Sequence, residues 1–330
     1  MTKEKTMNSK SLTHIGNRLV LALLVVVLFC LPAILSGATQ EAGAEATAAQ
    51  KGFAKPKDAA KALINAAETY DVPALLEILG PDGKDLVSSE DAVQDKNIAA
   101  AFAALAREKQ SLEKDPENKD RYILSVGNQD WPLPIPIVKR SGKWYFDSKA
   151  GHDEVLYRRI GANELNAIEV LRGFVEAELI YASTVHDDTG IHQYAQKLIS
   201  TPGKQDGLYW ENADGTPGGP ITKGVAKAMQ EGYSLSPGSA YSGYYFHLLK
   251  GQGPAAPMGE LDYLIKDMMI GGFALVAVPA EYRVTGVQTF MVNHDGIVYQ
   301  KDLGPDSLNI AKQMERYNPD ETWTRTDDQW

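Results

Sequence analysis

Two imidazoles and two carboxylates fall within seven residues of this chain, at His186, Asp187, Asp188 and His192. Such a set suits Zn²⁺ or a similar ion, because imidazole nitrogen and carboxylate oxygen are its ordinary donors. The competing reading is a polar loop after a long helix, where a histidine near the C-terminus complements the helix dipole. No further ligand is placed by sequence. The expectation is therefore no resident metal and no cofactor, with these four residues as the candidate ligands. Asn212-Ala213-Asp214-Gly215 has the opening of a calcium loop, but Lys223 stands at the twelfth position, where a bidentate Glu is needed. A turn explains it.

Other chemistry is missing by pattern. The chain has no G-x-S-x-G elbow, no H-E-x-x-H, no phosphate loop ending in Gly-Lys-Ser/Thr and no dinucleotide fingerprint. Gly251-Gln252-Gly253 is followed by Pro254 and Pro257, which cannot open a helix of exposed N–H donors, so it reads as a hairpin loop. Tyr241, Tyr244, Tyr245 and Phe246 suit alternating strand positions in a core better than a ligand surface. No catalytic residue is assigned. The leading expectation is a non-catalytic binding or assembly module, with an unknown protein or envelope component as partner. The alternative is an envelope hydrolase recruiting carboxylates or a metal from residues 183–238.

The N-terminus sets the compartment. Lys3, Lys5, Lys10 and Arg18 make it positive, an apolar run extends from Leu19 to Leu31, and Ser36-Gly37-Ala38 offers small residues for cleavage after Ala38. Residues 1–38 read as a secretory signal peptide, which implies a periplasmic or secreted protein without stable membrane insertion after cleavage. An uncleaved helix anchoring the chain to the inner membrane is the rival reading, since Ala33-Ile34-Leu35 extends the run past Pro32. A lipoprotein needs a small residue before its cysteine, but Phe29 precedes Cys30; a prepilin counted from Gly16 needs Glu where Leu21 stands. Cys30 is the only cysteine, so the mature chain would have no disulfide and no thiolate site.

The formal charge is -10, and loss of residues 1–38 removes four basic residues and one acidic residue, leaving -13. That argues against nucleic acid and anionic membrane surfaces, both of which reward a basic face.

The elements that must position these groups form an α+β chain. Residues 39–54 read as a flexible Ala/Glu/Thr/Gln spacer. Residues 55–150 read as an N-terminal α+β domain. Helices start at Pro56, at Val72 and after the Ser88–Asp91 cluster, and a charged loop follows over 113–120. The strands are Tyr122–Val126, Trp131–Val138 and Lys143–Asp147. In the second of these, Pro132, Pro134 and Pro136 strip the donors from one edge, which predicts a sheet margin or a position against a neighbouring domain. Residues 151–320 open with a long amphipathic helix at Asn163-Glu164, carrying Leu165, Ile168, Leu171, Val175 and Leu179. Loops over 186–238 lead into an antiparallel meander of Gly243–Leu249, Gly272–Val278, Val287–Val292 and Ile297–Asp302, its last turn at Asn293–Gly296. A helix capped by Asp306 and an acidic tail over 321–330 complete the expectation.

The strings Trp131–Val138, Arg158–Glu164, Gly251–Pro254 and Gly271–Gly304 resemble the exported bacterial proteins grouped as domain of unknown function 2950. His294 departs from the Gln expected in that turn. The family carries no assigned activity, so no site residue follows from it. The long helix, the meander and the Thr285–Phe290 segment with Asp295-Gly296 are similar to the globular head of type IV pilins and pseudopilins. The N-terminal half is similar to the cystatin-like or NTF2-like class. Fold likeness of this kind implies little about activity.

Overall fold

A computed structural model describes residues 50–234 and 238–326. The expected signal peptide, its cleavage point at Ala38 and the spacer up to residue 49 lie outside the described residues. Helix α1 (Pro56–Thr69) begins on a proline whose ring presets helical φ, and buries Ala59, Ala60, Leu63, Ile64, Ala66 and Ala67. Tyr70 ends it in the left-handed conformation, φ 49°. Asp71 caps α2 (Val72–Leu79) by accepting the Ala74 N–H at 3.1 Å. After the short α3 (Lys84–Val87), Asp91 caps α4 (Ala92–Glu108) through the Gln94 N–H at 3.0 Å.

The first sheet holds β1 (Gln110–Lys114), β2 (Arg121–Val126), β3 (Trp131–Pro132), β4 (Ile137–Arg140) and β5 (Lys143–Phe146). Its antiparallel order is β1-β2-β4-β5, with β3 also on β2. Two segments differ from the expectation. Residues 110–114, which overlap the expected charged loop, form strand β1; Glu113 and Lys114 are the charges that suit a sheet edge. Trp131–Val138 is not one strand, because the chain leaves the ladder between Pro132 and Ile137, the span in which prolines cannot donate. Only β3 keeps a marginal position, while Ile137 pairs with both Tyr122 and Phe146. Leu133, Ile135 and Ile137 are nevertheless all buried.

Helix α5 (Ser148–Tyr181) has 34 residues and is about 50 Å long. It starts fifteen residues before the expected Asn163, and its first turn spans the expected domain boundary at 150/151. Ser148 Oγ donates to Leu79 O at 2.7 Å, fixing the start of the helix to the end of α2. A Cβ on Gly151 would lie 2.6 Å from Pro134 O, so the helix backbone rests directly on the proline-rich segment. The buried stripe runs through Ala167, Ile168, Leu171, Phe174, Val175, Glu178 and Tyr181. Leu165 and Leu179, expected on that stripe, are exposed.

Beyond α5 come β6 (Trp210–Glu211), β7 (Pro217–Gly218) and α6 (Thr222–Gln230). The meander follows as β8 (Tyr244–Leu249), then β9 (Gly251–Gln252), β10 (Leu261–Asp262), β11 (Leu264–Ile265) and β12 (Met268–Met269) as short ladders, then β13 (Ala274–Pro279), β14 (Gln288–Asn293) and β15 (Tyr299–Asp302). Gly251-Gln252, expected as a hairpin loop, is a ladder between β10 and β16 (Arg316–Tyr317). Asp306 precedes α7 (Ser307–Lys312) without capping its backbone; its carboxylate accepts Asn309 Nδ2 at 2.7 Å instead. Within the expected acidic tail, β17 (Thr324–Arg325) pairs with β15, so the order is β17-β15-β14-β13-β8. One core gathers Leu63, Leu75, Ile78, Leu124, Ile137 and Phe146, a second Leu171, Phe174, Tyr244, Phe273, Phe290 and Tyr317. Leu156, Ile160 and Val284 form a small apolar cluster of their own. No helix among the described residues is long and apolar enough to cross a membrane.

Candidate functional site

The cleft between α1, α4 and β1 is the site with the clearest charge. It measures about 650 Å³ and is lined by Lys57, Lys61, Ile64, Arg107, Gln110 and Leu112, with Asn65 and Ser111. Helix spacing places Lys57, Lys61 and Ile64 on one face of α1, the isoleucine buried and the lysines exposed. Arg107, in the last turn of α4, is paired with Glu68. The ammonium groups of Lys57 and Lys61 have no hydrogen bond or ion pair among the described residues. No carboxylate among the described residues lines the cleft. Two like charges one turn apart cost a helix about 0.2–0.5 kcal/mol, and Lys57 also sits in the first turn, against the positive end of the dipole. An anion between the lysines would reverse the sign of both terms.

The floor of the cleft ends at an open strand edge. β1 pairs only with β2 among the described residues. The Gly127 N–H donates to Lys109 O at 2.8 Å and the Asp115 N–H to Arg121 O at 3.0 Å. These set the ladder phase: Ser111 and Glu113 exchange bonds with β2, whereas Gln110, Leu112 and Lys114 turn their backbone groups outward. Leu112 stands opposite Leu124 and so packs its side chain on the helix side of the sheet.

A buried polar joint ties the N-terminal helices to α5 and to the second sheet. Asp91 Oδ2 accepts the Tyr233 hydroxyl at 3.0 Å and the Gly243 N–H at 2.8 Å. Arg159 donates to Asp85 O at 2.7 Å and Leu86 O at 2.9 Å, with Asp95 Oδ1 3.8 Å away. Burial raises the Asp95 pKa and lowers that of Arg159; Ser89 and the Asp95–Arg159 attraction oppose those shifts. Glu164 Oε1 accepts the N–H groups of Val287 and Gln288, each at 3.0 Å. These carboxylates are consumed by protein donors and hold the two halves in register.

The four sequence-chosen metal candidates do not converge. His186 stacks on Tyr181 at 3.9 Å, and its ring nitrogens lie 2.9 Å from Tyr181 O and 3.3 Å from Gln205 Oε1. His192 Nδ1 lies 2.8 Å from Ala182 O. Asp187 accepts from Thr189 and Gln193, which lower its pKa. Asp188 stands exposed in the same loop. Among the described residues no group of three or more His, Cys, Asp or Glu side chains is placed to hold a metal ion. Nearby, Glu178 is wholly buried, with Oε2 accepting the Ala195 N–H at 2.8 Å and Oε1 unpartnered. Burial pushes its pKa up to about 8. It lines neither this cleft nor the smaller one of about 430 Å³ around Lys250, Asp262, Glu315 and Arg316.

Sequence reasoning passed over the cleft because its walls come from residues 57–65 and 107–112. One signal was present: two lysines at i and i+4 on a helix, with Asp58 the single acid at matching spacing, in an acidic chain. Comparison with curated proteins and with solved structures gives no match. The family described as "protein of unknown function (DUF2950)" matches residues 50–326, and the chain belongs to that family.

Proposed function

We propose that this chain is an exported, non-catalytic binding module of the bacterial envelope that captures an anionic partner in the α1–α4–β1 cleft. The observation that carries this reading is the pair of unpartnered lysines, Lys57 and Lys61, in a cleft lined by no carboxylate among the described residues, on a chain of formal charge -10. A local basic site on an acidic chain attracts acidic groups to the cleft, while the surrounding negative charge repels them elsewhere. Export rests on residues 1–38, whose basic start, apolar run and small-residue end suit a cleaved signal. The finer reading of residues 151–320 as a pilin-like head draws support from α5 lying along β13 and β14 of the meander.

The test is calorimetric titration of the purified protein with a short poly-glutamate peptide at low and at physiological salt. Binding that weakens with salt, and falls roughly tenfold or more in Lys57→Glu/Lys61→Glu, supports the reading. Equal binding by that double variant overturns it.

A further inference from the structure

We propose that the open edge of β1 is a strand-addition site, and that the captured partner is an extended acidic polypeptide segment of another protein. This rests on the cleft being an anion site and names what fills it. The outward backbone groups of Gln110, Leu112 and Lys114 recur at every second residue, which is the spacing an added strand needs. The backbone N–H groups of all three have no backbone partner among the described residues. A strand docked there lies about 4.8 Å outside β1. The cleft wall beside that edge is α1, with Lys57 and Lys61 four residues apart.

The repeat lengths agree. Four helical residues rise about 6 Å, and two strand residues about 6.6 Å, so carboxylates at alternate positions of an extended segment reach successive lysines. The half-buried Leu112 and the buried Ile64 give apolar contact below. Charge complementarity decides the occupant. Lys57 and Lys61 would repel a basic or lysine-rich strand, and the edge charge on Lys114 acts the same way.

The experiment uses the purified full chain and a fluorescein-labelled decapeptide of alternating Thr and Glu. Two further peptides replace each Glu by Lys, or each second Thr by Pro. Anisotropy reads binding, and amide hydrogen exchange reads where it occurs. The expected result is binding of the Thr-Glu peptide alone. At ten times its Kd, exchange at Gln110, Leu112 and Lys114 should slow roughly tenfold, while Ser111 and Glu113, already paired with β2, stay unchanged. Gln110→Pro removes one outward donor where the preceding Lys109 is already extended; with the melting transition retained, affinity should drop. Thr-Glu peptide binding that needs Lys57 and Lys61 but leaves those three amides unprotected, or equal binding of the proline peptide, overturns strand addition and leaves the anion site standing. No binding of any acidic peptide overturns both. Binding only to vesicles containing phosphatidylglycerol would replace the peptide by a lipid surface and overturn the proposal.

Discussion

Asn163 on α5 and Gln94 on α4 meet amide to amide: Gln94 Nε2 donates to Asn163 Oδ1 at 2.7 Å, and Asn163 Nδ2 returns a bond to Gln94 Oε1 at 3.2 Å. Asn163 Nδ2 also donates to Thr285 O at 2.8 Å, so one buried side chain joins a helix of the first half to a turn of the second. Its truncation removes the partner of three polar groups, of which the Thr285 carbonyl is buried. Asn163→Ala should lower unfolding free energy by about 2–4 kcal/mol in a urea titration. Combining it with Gln94→Ala should cost less than the sum, with a coupling of about 1 kcal/mol or more. Strict additivity would remove this contact from the account of the joint.

Glycine substitutions on α5 should differ in sign. Replacing a mid-helix glycine by alanine ordinarily stabilises by about 0.5–1 kcal/mol. Gly161 and Gly173 have open space where a Cβ would sit, so Gly161→Ala and Gly173→Ala should raise Tm. Gly151→Ala should lower it, because the added methyl meets the Pro134 carbonyl backbone, which cannot rotate away. A gain in Tm for Gly151→Ala would contradict the packing of α5 on the proline segment.

Glu178 makes stability depend on pH with a defined direction. Its folded pKa is raised to about 8 from an ordinary value of 4.5, so the folded state holds this proton more tightly than the unfolded chain does. The contribution is full below pH 4.5 and is lost progressively as pH rises through 8, where folding must bury a carboxylate. Glu178→Gln mimics the protonated form. Its stability advantage over wild type should be near zero at pH 4.5, grow to on the order of 5 kcal/mol by about pH 8 and level off above it. Parallel pH profiles for the two proteins would contradict the burial of this carboxyl.

Much of the fold was legible because its signals are local. The runs of β8, β13, β14 and β15 and the Asn293–Gly296 turn, with Gly296 at φ 76°, stand where strand composition and turn chemistry predict. The start of α5 was not legible. Its first half packs on one core and its second half on another, so no single apolar stripe runs through it. Ser148–Ala162 therefore lacks the periodicity that marked the later turns. β1 was hidden by Glu113 and Lys114, charges that an edge strand tolerates and an interior strand does not. The metal candidates failed to meet because side chains adjacent in an irregular loop turn to different partners: His186 to Tyr181 and Asp187 to Thr189. The cleft depends on the tertiary approach of α1 to β1.

In the proposed binding mode Lys57 and Lys61 receive the carboxylates of a partner. Zero-length carbodiimide crosslinking of the purified protein with a short poly-glutamate peptide, followed by peptide mapping, tests it most directly. Amide bonds to the peptide should concentrate at Lys57 and Lys61 and should disappear at raised salt. Crosslinks distributed over the exposed lysines in proportion to their accessibility, or concentrated at Lys250 beside the smaller cleft, would contradict it.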